Sequence, residues 1–123
     1  MIRYTFFGTV PSKKNNRRRV QRGKRRYSIP SAAYERWEKA HKAALMAKFS
    51  VLHLTNYAVE IWFYMPNNVV RDTDNILTSI LDCLKAAGII ADDRWQYMSR
   101  PPVMHQPVID AENPRVEIVI THD

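Results

Sequence analysis

The chain of 123 residues has a single cysteine, Cys83. One cysteine closes no intrachain disulfide, which fits a reducing compartment and points to the cytoplasm. A lone cysteine can also be a nucleophile, but Cys83 stands among Leu81 and Leu84 in a helical pattern and reads as packing. Glycine is scarce too: three residues, at positions 8, 23 and 88, leave no glycine-rich loop to cradle a nucleotide's phosphates. His41, His53, His105 and His122 show no zinc-like spacing. No apolar run approaches the ~18 residues of a membrane span. Met1-Ile2-Arg3-Tyr4 opens as a strand and lacks the core of a signal peptide. These absences argue against disulfide scaffolds, P-loop enzymes, zinc sites and membrane spans.

Another absence is local. Ser12 to Arg26 contains no acid. It holds Lys13, Lys14, Arg17, Arg18, Arg19, Arg22, Lys24, Arg25 and Arg26, nine positive charges in fifteen residues. The formal net charge is +7, yet the rest of the chain has ten basic and twelve acidic residues, a net of −2. The positive charge therefore lives in one segment. Like charges repel and resist compaction, so Ser12–Arg26 is expected to be a mobile arm on a single domain spanning 1–123. Its natural partner is a polyanion, bound through phosphate neutralisation and counterion release. A solvated loop without a partner is the bland alternative. Membrane-surface binding is disfavoured, because Val20 and Gly23 are the only breaks of that kind among the charges and give no apolar face.

Periodicity supplies the fold class. Ile2 to Val10 is rich in β-branched and aromatic residues and reads as a strand ended by Pro11. Tyr27–Ile29 reads as a short extended piece. Ser31 is an N-cap candidate, followed by Tyr34, Trp37, His41, Ala44 and Leu45 at helical spacing to about Phe49. Asn56 to Met65 alternates: Val59, Ile61, Phe63 and Met65 face one way, Ala58, Glu60, Trp62 and Tyr64 the other. Asp74 is an N-cap candidate for a second helix with the stripe Ile76, Leu77, Ile80, Leu81, Leu84 and Ala87, stopped at Gly88. Trp95–Ser99 and Val116–Thr121 are expected as strands, with a proline-rich stretch between. The sum is a small single α/β domain, a mixed four- or five-stranded sheet packed against two helices.

The acids concentrate where chemistry is expected. R-D-T-D-N at Arg71–Asn75 and D-D-R at Asp92–Arg94 bracket the second helix with four aspartates. Separately, each pair has a local explanation: capping and the helix dipole account for Asp74, though one cap does not require Asp72 as well, and Asp92-Asp93 reads as a turn. Together, in a chain with a phosphate-binding arm, they are a candidate site for hard divalent ions, which take oxygen ligands. Two such ions can stabilise the attacking and leaving oxygens of a phosphodiester displacement. Helix length limits the geometry. Roughly 20 Å separates the ends of the second helix, and the six residues from Gly88 to Asp93 return to its start only when nearly fully extended. A shorter helix, or a site shared between two subunits, are the other routes.

The run V-R-D-T-D-N-I-L-T-S-I-L-D-C-L-K-A-A-G-I-I-A-D-D-R, Val70 to Arg94, resembles the signature of RusA-type Holliday junction resolvases. The D-x-D-N start, the L-D-x-L centre and the D-D after the glycine fall in register. A weaker likeness extends to V-P-S-K-K-N-N-R at Val10–Arg17. The resemblance implies a small homodimeric endonuclease of phage or prophage type. It would depend on Mg²⁺, one or two ions per site with Mn²⁺ as substitute. It would nick four-way DNA junctions in pairs during recombination and repair. It implies that Asp72, Asp74 and Asp93 are the metal-binding catalytic carboxylates, with Asp92 and Asn75 as neighbours. Where the family commonly has a lysine one turn after the second aspartate, this chain has Thr78. Lys85, Arg71 and Arg94 are the cations that could stand in. The arm, Lys13 to Arg26, would hold DNA phosphates. Two alternatives remain: a non-catalytic nucleic-acid-binding protein using the same arm, and a metal nuclease for other branched DNA. Trp37 and Trp62 read as core; Trp95, beside Arg94, reads as a base-stacking or dimer-closing residue.

Overall fold

The computed structural model describes residues 1–11, 17–23, 25–69 and 71–122, with the backbone alone over 17–22 and 25–30. A five-stranded mixed sheet carries the domain, in the order β1 (Ile2–Phe7), β7 (Arg115–His122), β4 (Tyr57–Met65), β5 (Val103–Met104). The short β6 (Val108–Ile109) also pairs with β4. β7 runs antiparallel to both β1 and β4, whereas β5 and β6 lie parallel to β4. Register lines up the apolar alternation across three strands. Ile2 sits opposite Ile120, which sits opposite Val59; Phe6, Val116 and Phe63 form a second row. Every residue of these two rows is buried. Period two has thus placed one whole face of the sheet in the core.

Two helices cover that face. In α1 (Ala32–Lys48), Ser31 caps the start by accepting from the Tyr34 N–H at 3.1 Å. Tyr34 and Leu45 are buried, and Trp37 stacks on Phe6 with ring centroids 5.6 Å apart. In α2 (Thr73–Ala86), Ile76, Ile80, Leu81, Cys83 and Leu84 are buried. Burial pushes the Cys83 thiol up to about 12, with the Glu38 charge adding to it. Cys83 is a packing residue, as its position among leucines implies.

The opposite face of the sheet is open and half-exposed. Trp62 lies here rather than in the core, stacked on His105 with centroids 4.6 Å apart. Alternation put Trp62 on the side away from Ile61 and Phe63, and that side carries no helix.

The structure departs from expectation in four other places. β1 ends at Phe7, before Gly8, whose φ of +82° is left-handed. Where a mobile arm is expected, the backbone of β2 (Arg17–Arg22) pairs antiparallel with β3 (Arg25–Pro30). Gly23, at φ +61°, follows the last residue of β2 in the left-handed conformation that favours glycine. Lys13, Lys14 and Lys24 lie outside the described residues, as do the side chains of Arg17, Arg18, Arg19, Arg22, Arg25 and Arg26. Trp95–Tyr97 is a 3₁₀ turn, not a strand. Finally, the proline-rich stretch supplies β5 and β6, two edge strands of two residues each.

Candidate active site

α2 positions the acidic residues. Its N-cap is Asp72, not Asp74. Asp72 has extended backbone, and its Oδ1 accepts from the Asp74 N–H at 2.9 Å and, more weakly, the Asn75 N–H at 3.4 Å. Asp74 occupies the first turn, where a carboxylate meets the positive end of the helix dipole. Both side chains are exposed. Arg71 turns back instead, donating from Nη1 to Asn67 Oδ1 at 3.0 Å. Thr78, one turn on, bonds the Asp74 carbonyl at 3.0 Å, so its hydroxyl is used within the helix.

The second pair belongs to the other end of α2. Gly88, at φ +75°, closes the helix with the Gly88 N–H on Lys85 O and the Ile89 N–H on Leu84 O, both 3.0 Å. This is a Schellman arrangement. A Cβ at Gly88 would fall 2.9 Å from Val51 Cγ1, which adds a close approach to the unusual φ. The chain then runs beside Leu54, which donates to Ile89 O at 3.0 Å and accepts from Ala91 N at 2.9 Å. Ile89 and Ile90 are fully buried by this pairing. Asp92 emerges next to the last turn of α2.

There Asp92 gathers two cations. Its Oδ1 lies 3.3 Å from Lys85 Nζ, and its Oδ2 accepts from Arg94 Nε at 2.8 Å. The same Oδ1 accepts the Asp93 N–H at 2.7 Å. Partial desolvation raises its proton affinity. The hydrogen bonds from Asp93, Arg94 and Lys85 outweigh that and hold the carboxyl well below the usual carboxylate range. Asp93 moves the other way. Desolvation comes first, then its hydrogen bond with Asp92 and the charge of Asp82, all favouring the protonated form. Tyr57 pins the pair from β4 by donating to the Asp92 carbonyl at 2.6 Å. Burial, followed by the charges of Asp93 and Asp92, pushes that phenol up to about 12, so it remains a donor.

The four aspartates thus stand as two pairs at opposite ends of one helix. Asp74 and Lys85 are eleven residues apart, roughly 16 Å along the axis. Among the described residues, no three His, Cys, Asp or Glu side chains come together as a metal-ligand group. The donor chemistry is all carboxylate and suits a hard divalent ion, and each pair matches the one or two carboxylates Mg²⁺ takes beside substrate oxygens. A three-carboxylate centre of Asp72, Asp74 and Asp93 is not formed within one chain.

A family model for the endodeoxyribonuclease RusA matches residues 9–121 of this sequence. The chain belongs to the RusA endodeoxyribonuclease family. No curated protein matches it. The RusA match takes in both helices and the sheet strands β4 to β7 up to Thr121, leaving β1 just outside it, and makes the chain a nuclease of DNA. The two acidic pairs lie well inside the RusA match, with the helix between them. No described helix is long and apolar enough to cross a membrane.

Sequence reasoning missed two contributors, Tyr57 and Asp82. Asp82 had a legible signal, since Asp74, Thr78 and Asp82 recur at intervals of four and share a helical face. Tyr57 had none, because its role depends on a contact made 35 residues later in the chain.

Proposed function

We propose that the chain is a divalent-metal-dependent endonuclease that cuts four-way DNA junctions by paired symmetrical nicks, acting as a homodimer in recombination and repair. The RusA match over residues 9–121 carries this reading. Asp72, Asp74 and Asp93 would hold Mg²⁺, with Mn²⁺ as a substitute, and because the two acidic pairs stand apart within one chain the three carboxylates would meet across the dimer interface. The bound ion supplies charge stabilisation at the phosphoryl oxygens and a water of lowered pKa.

The chain's own residues do the rest. Asp72 fixes the start of α2 and so the direction of Asp74. Asp92 holds Lys85 and Arg94 beside Asp93, which places positive charge where a phosphodiester approaches an acidic site. Asn75 stands next to both N-terminal carboxylates. Arg71 offers a further cation on the same side. Lys13, Lys14, Arg17, Arg18, Arg19, Arg22, Lys24, Arg25 and Arg26 engage phosphates away from the cut, supplying salt-dependent affinity without sequence selectivity. Dimerisation would set two such sites about a two-fold axis that matches the symmetry of a junction.

The test is incubation with a labelled synthetic four-way junction and Mg²⁺, beside linear duplex and the Asp74→Asn variant. Paired cuts confined to the junction and lost in the variant are expected. Cutting of linear duplex at the same rate would refute junction selectivity. A second reading, junction binding without cutting, draws on the separation of the two acidic pairs within one chain. Tight binding with no product in either Mg²⁺ or Mn²⁺ would select it.

A further inference from the structure

Trp95 is the most exposed large apolar side chain among the described residues, at 78 %. Tryptophan is usually well buried, so an exposed one beside a candidate site calls for a physical reason. Its loop is not loose. The Tyr97 N–H bonds Arg94 O and the Met98 N–H bonds Trp95 O, both at 3.0 Å, which closes the 3₁₀ turn. Both ends of the loop are fastened to the same residue of β4. Tyr57 donates its hydroxyl to Asp92 O at 2.6 Å and accepts the Ser99 N–H on its carbonyl at 2.8 Å. Trp95 is thereby presented outward from a loop tied at its base.

Its surroundings suit one class of ligand. Arg94, the preceding residue, is anchored by Asp92 and lies over the Tyr97 ring at 5.6 Å. Lys85 reaches the same carboxylate, and both cations remain substantially exposed, at 49 % for Lys85 and 65 % for Arg94. An exposed aromatic ring one residue from Arg94, and three residues from the carboxylate that holds both Arg94 and Lys85, matches a nucleotide, with the base on the ring and the phosphate on the charges. In linear duplex, both faces of every internal base are already stacked. At a branch point they are not.

Resting on the nuclease reading above, we propose that Trp95 stacks on a nucleobase laid open at the branch of its DNA substrate, with Lys85 and Arg94 on the adjoining phosphate. Trp95 then contributes branch selectivity, while the basic segment contributes affinity for any DNA.

The test is equilibrium binding in EDTA, so that cutting plays no part. Full-length protein, Trp95→Phe and Trp95→Ala are titrated with a four-way junction and with linear duplex of the same arm sequence. Sedimentation of each variant runs alongside. Trp95→Ala should weaken junction binding by about tenfold and duplex binding by less than about twofold. Trp95→Phe should keep most of the junction affinity. A 2-aminopurine placed at the branch should be quenched by the original protein and by Trp95→Phe, but not by Trp95→Ala. Unchanged junction affinity in Trp95→Ala, or equal loss on both DNAs, overturns the proposal. So does a change of oligomeric state, which would place a second copy of the chain on Trp95. Failure of the protein to cut in Mg²⁺ would count against the nuclease reading and leave these binding results standing.

Discussion

Asp72 should separate folding from catalysis by the choice of replacement. As N-cap it accepts one good hydrogen bond, from Asp74 N at 2.9 Å, and one weak one, from Asn75 N at 3.4 Å. Losing such a cap costs about 1 kcal/mol. Losing a negative charge at an exposed helix N-terminus costs a few tenths more. Asp72→Ala removes both, about 1–1.5 kcal/mol. Asp72→Asn keeps an oxygen in the same place and removes only the charge, about 0.3 kcal/mol. For a two-state domain of 123 residues, 1 kcal/mol corresponds to about 4 °C in Tm. Thermal denaturation followed by circular dichroism should therefore drop by about 4–6 °C for Asp72→Ala and by about 1 °C for Asp72→Asn. Junction cleavage in Mg²⁺ should fail in both, because an amide oxygen is a poor replacement for a carboxylate at a hard cation. Equal destabilisation by the two substitutions would refute the capping argument. Full cleavage by Asp72→Asn would refute the metal-binding role while leaving the cap intact.

Other outcomes are equally open to measurement. With its thiol pushed up to about 12 by burial, Cys83 should hold about one part in ten thousand thiolate at pH 8 and react with an aromatic disulfide reagent only on unfolding; rapid stoichiometric labelling of native protein would contradict this. Burial lowers the His41 pKa below its ordinary 6.5, so the unfolded chain takes up that proton first. Stability should fall as pH drops from 6.5 toward the folded-state value, and His41→Gln should flatten that fall in urea midpoints; an unchanged pH slope would remove His41 as the cause. Replacing Arg17, Arg18 and Arg19 by Ala should weaken DNA binding and reduce the salt slope by about 0.9 for each phosphate no longer neutralised; an unchanged slope would exclude the segment as a main anchor on DNA.

Much of this fold was legible because its main elements repeat their pattern long enough. β4 alternates from Val59 to Met65, and α2 keeps an apolar stripe for 14 residues. The hairpin of β2 and β3 was obscured because charge dominates its composition and hides any alternation that pairing would use. The D-T-D-N start reads as capped by Asp74, and only the backbone geometry hands the cap to Asp72. β5 and β6 are two-residue strands whose pairing is set by β4, not by local preference. The site followed the same division. The two aspartate pairs stand out in the sequence by their spacing, and the RusA resemblance led to the right family. That Asp92 collects Lys85 and Arg94 depends on the turn at Gly88 and the pairing with Leu54, both tertiary events.

α2 also acts as a gauge between its two acidic ends. A substitution on its surface leaves the separation and the relative direction of those ends as they are. Inserting or deleting one residue does not: it shifts one end by about 1.5 Å and rotates it by about 100° relative to the other. Length should therefore be held far more tightly than composition between Asp72 and Asp93. Variation in this stretch should come as exchanged side chains, while insertions collect elsewhere, in connections such as that between β5 and β6.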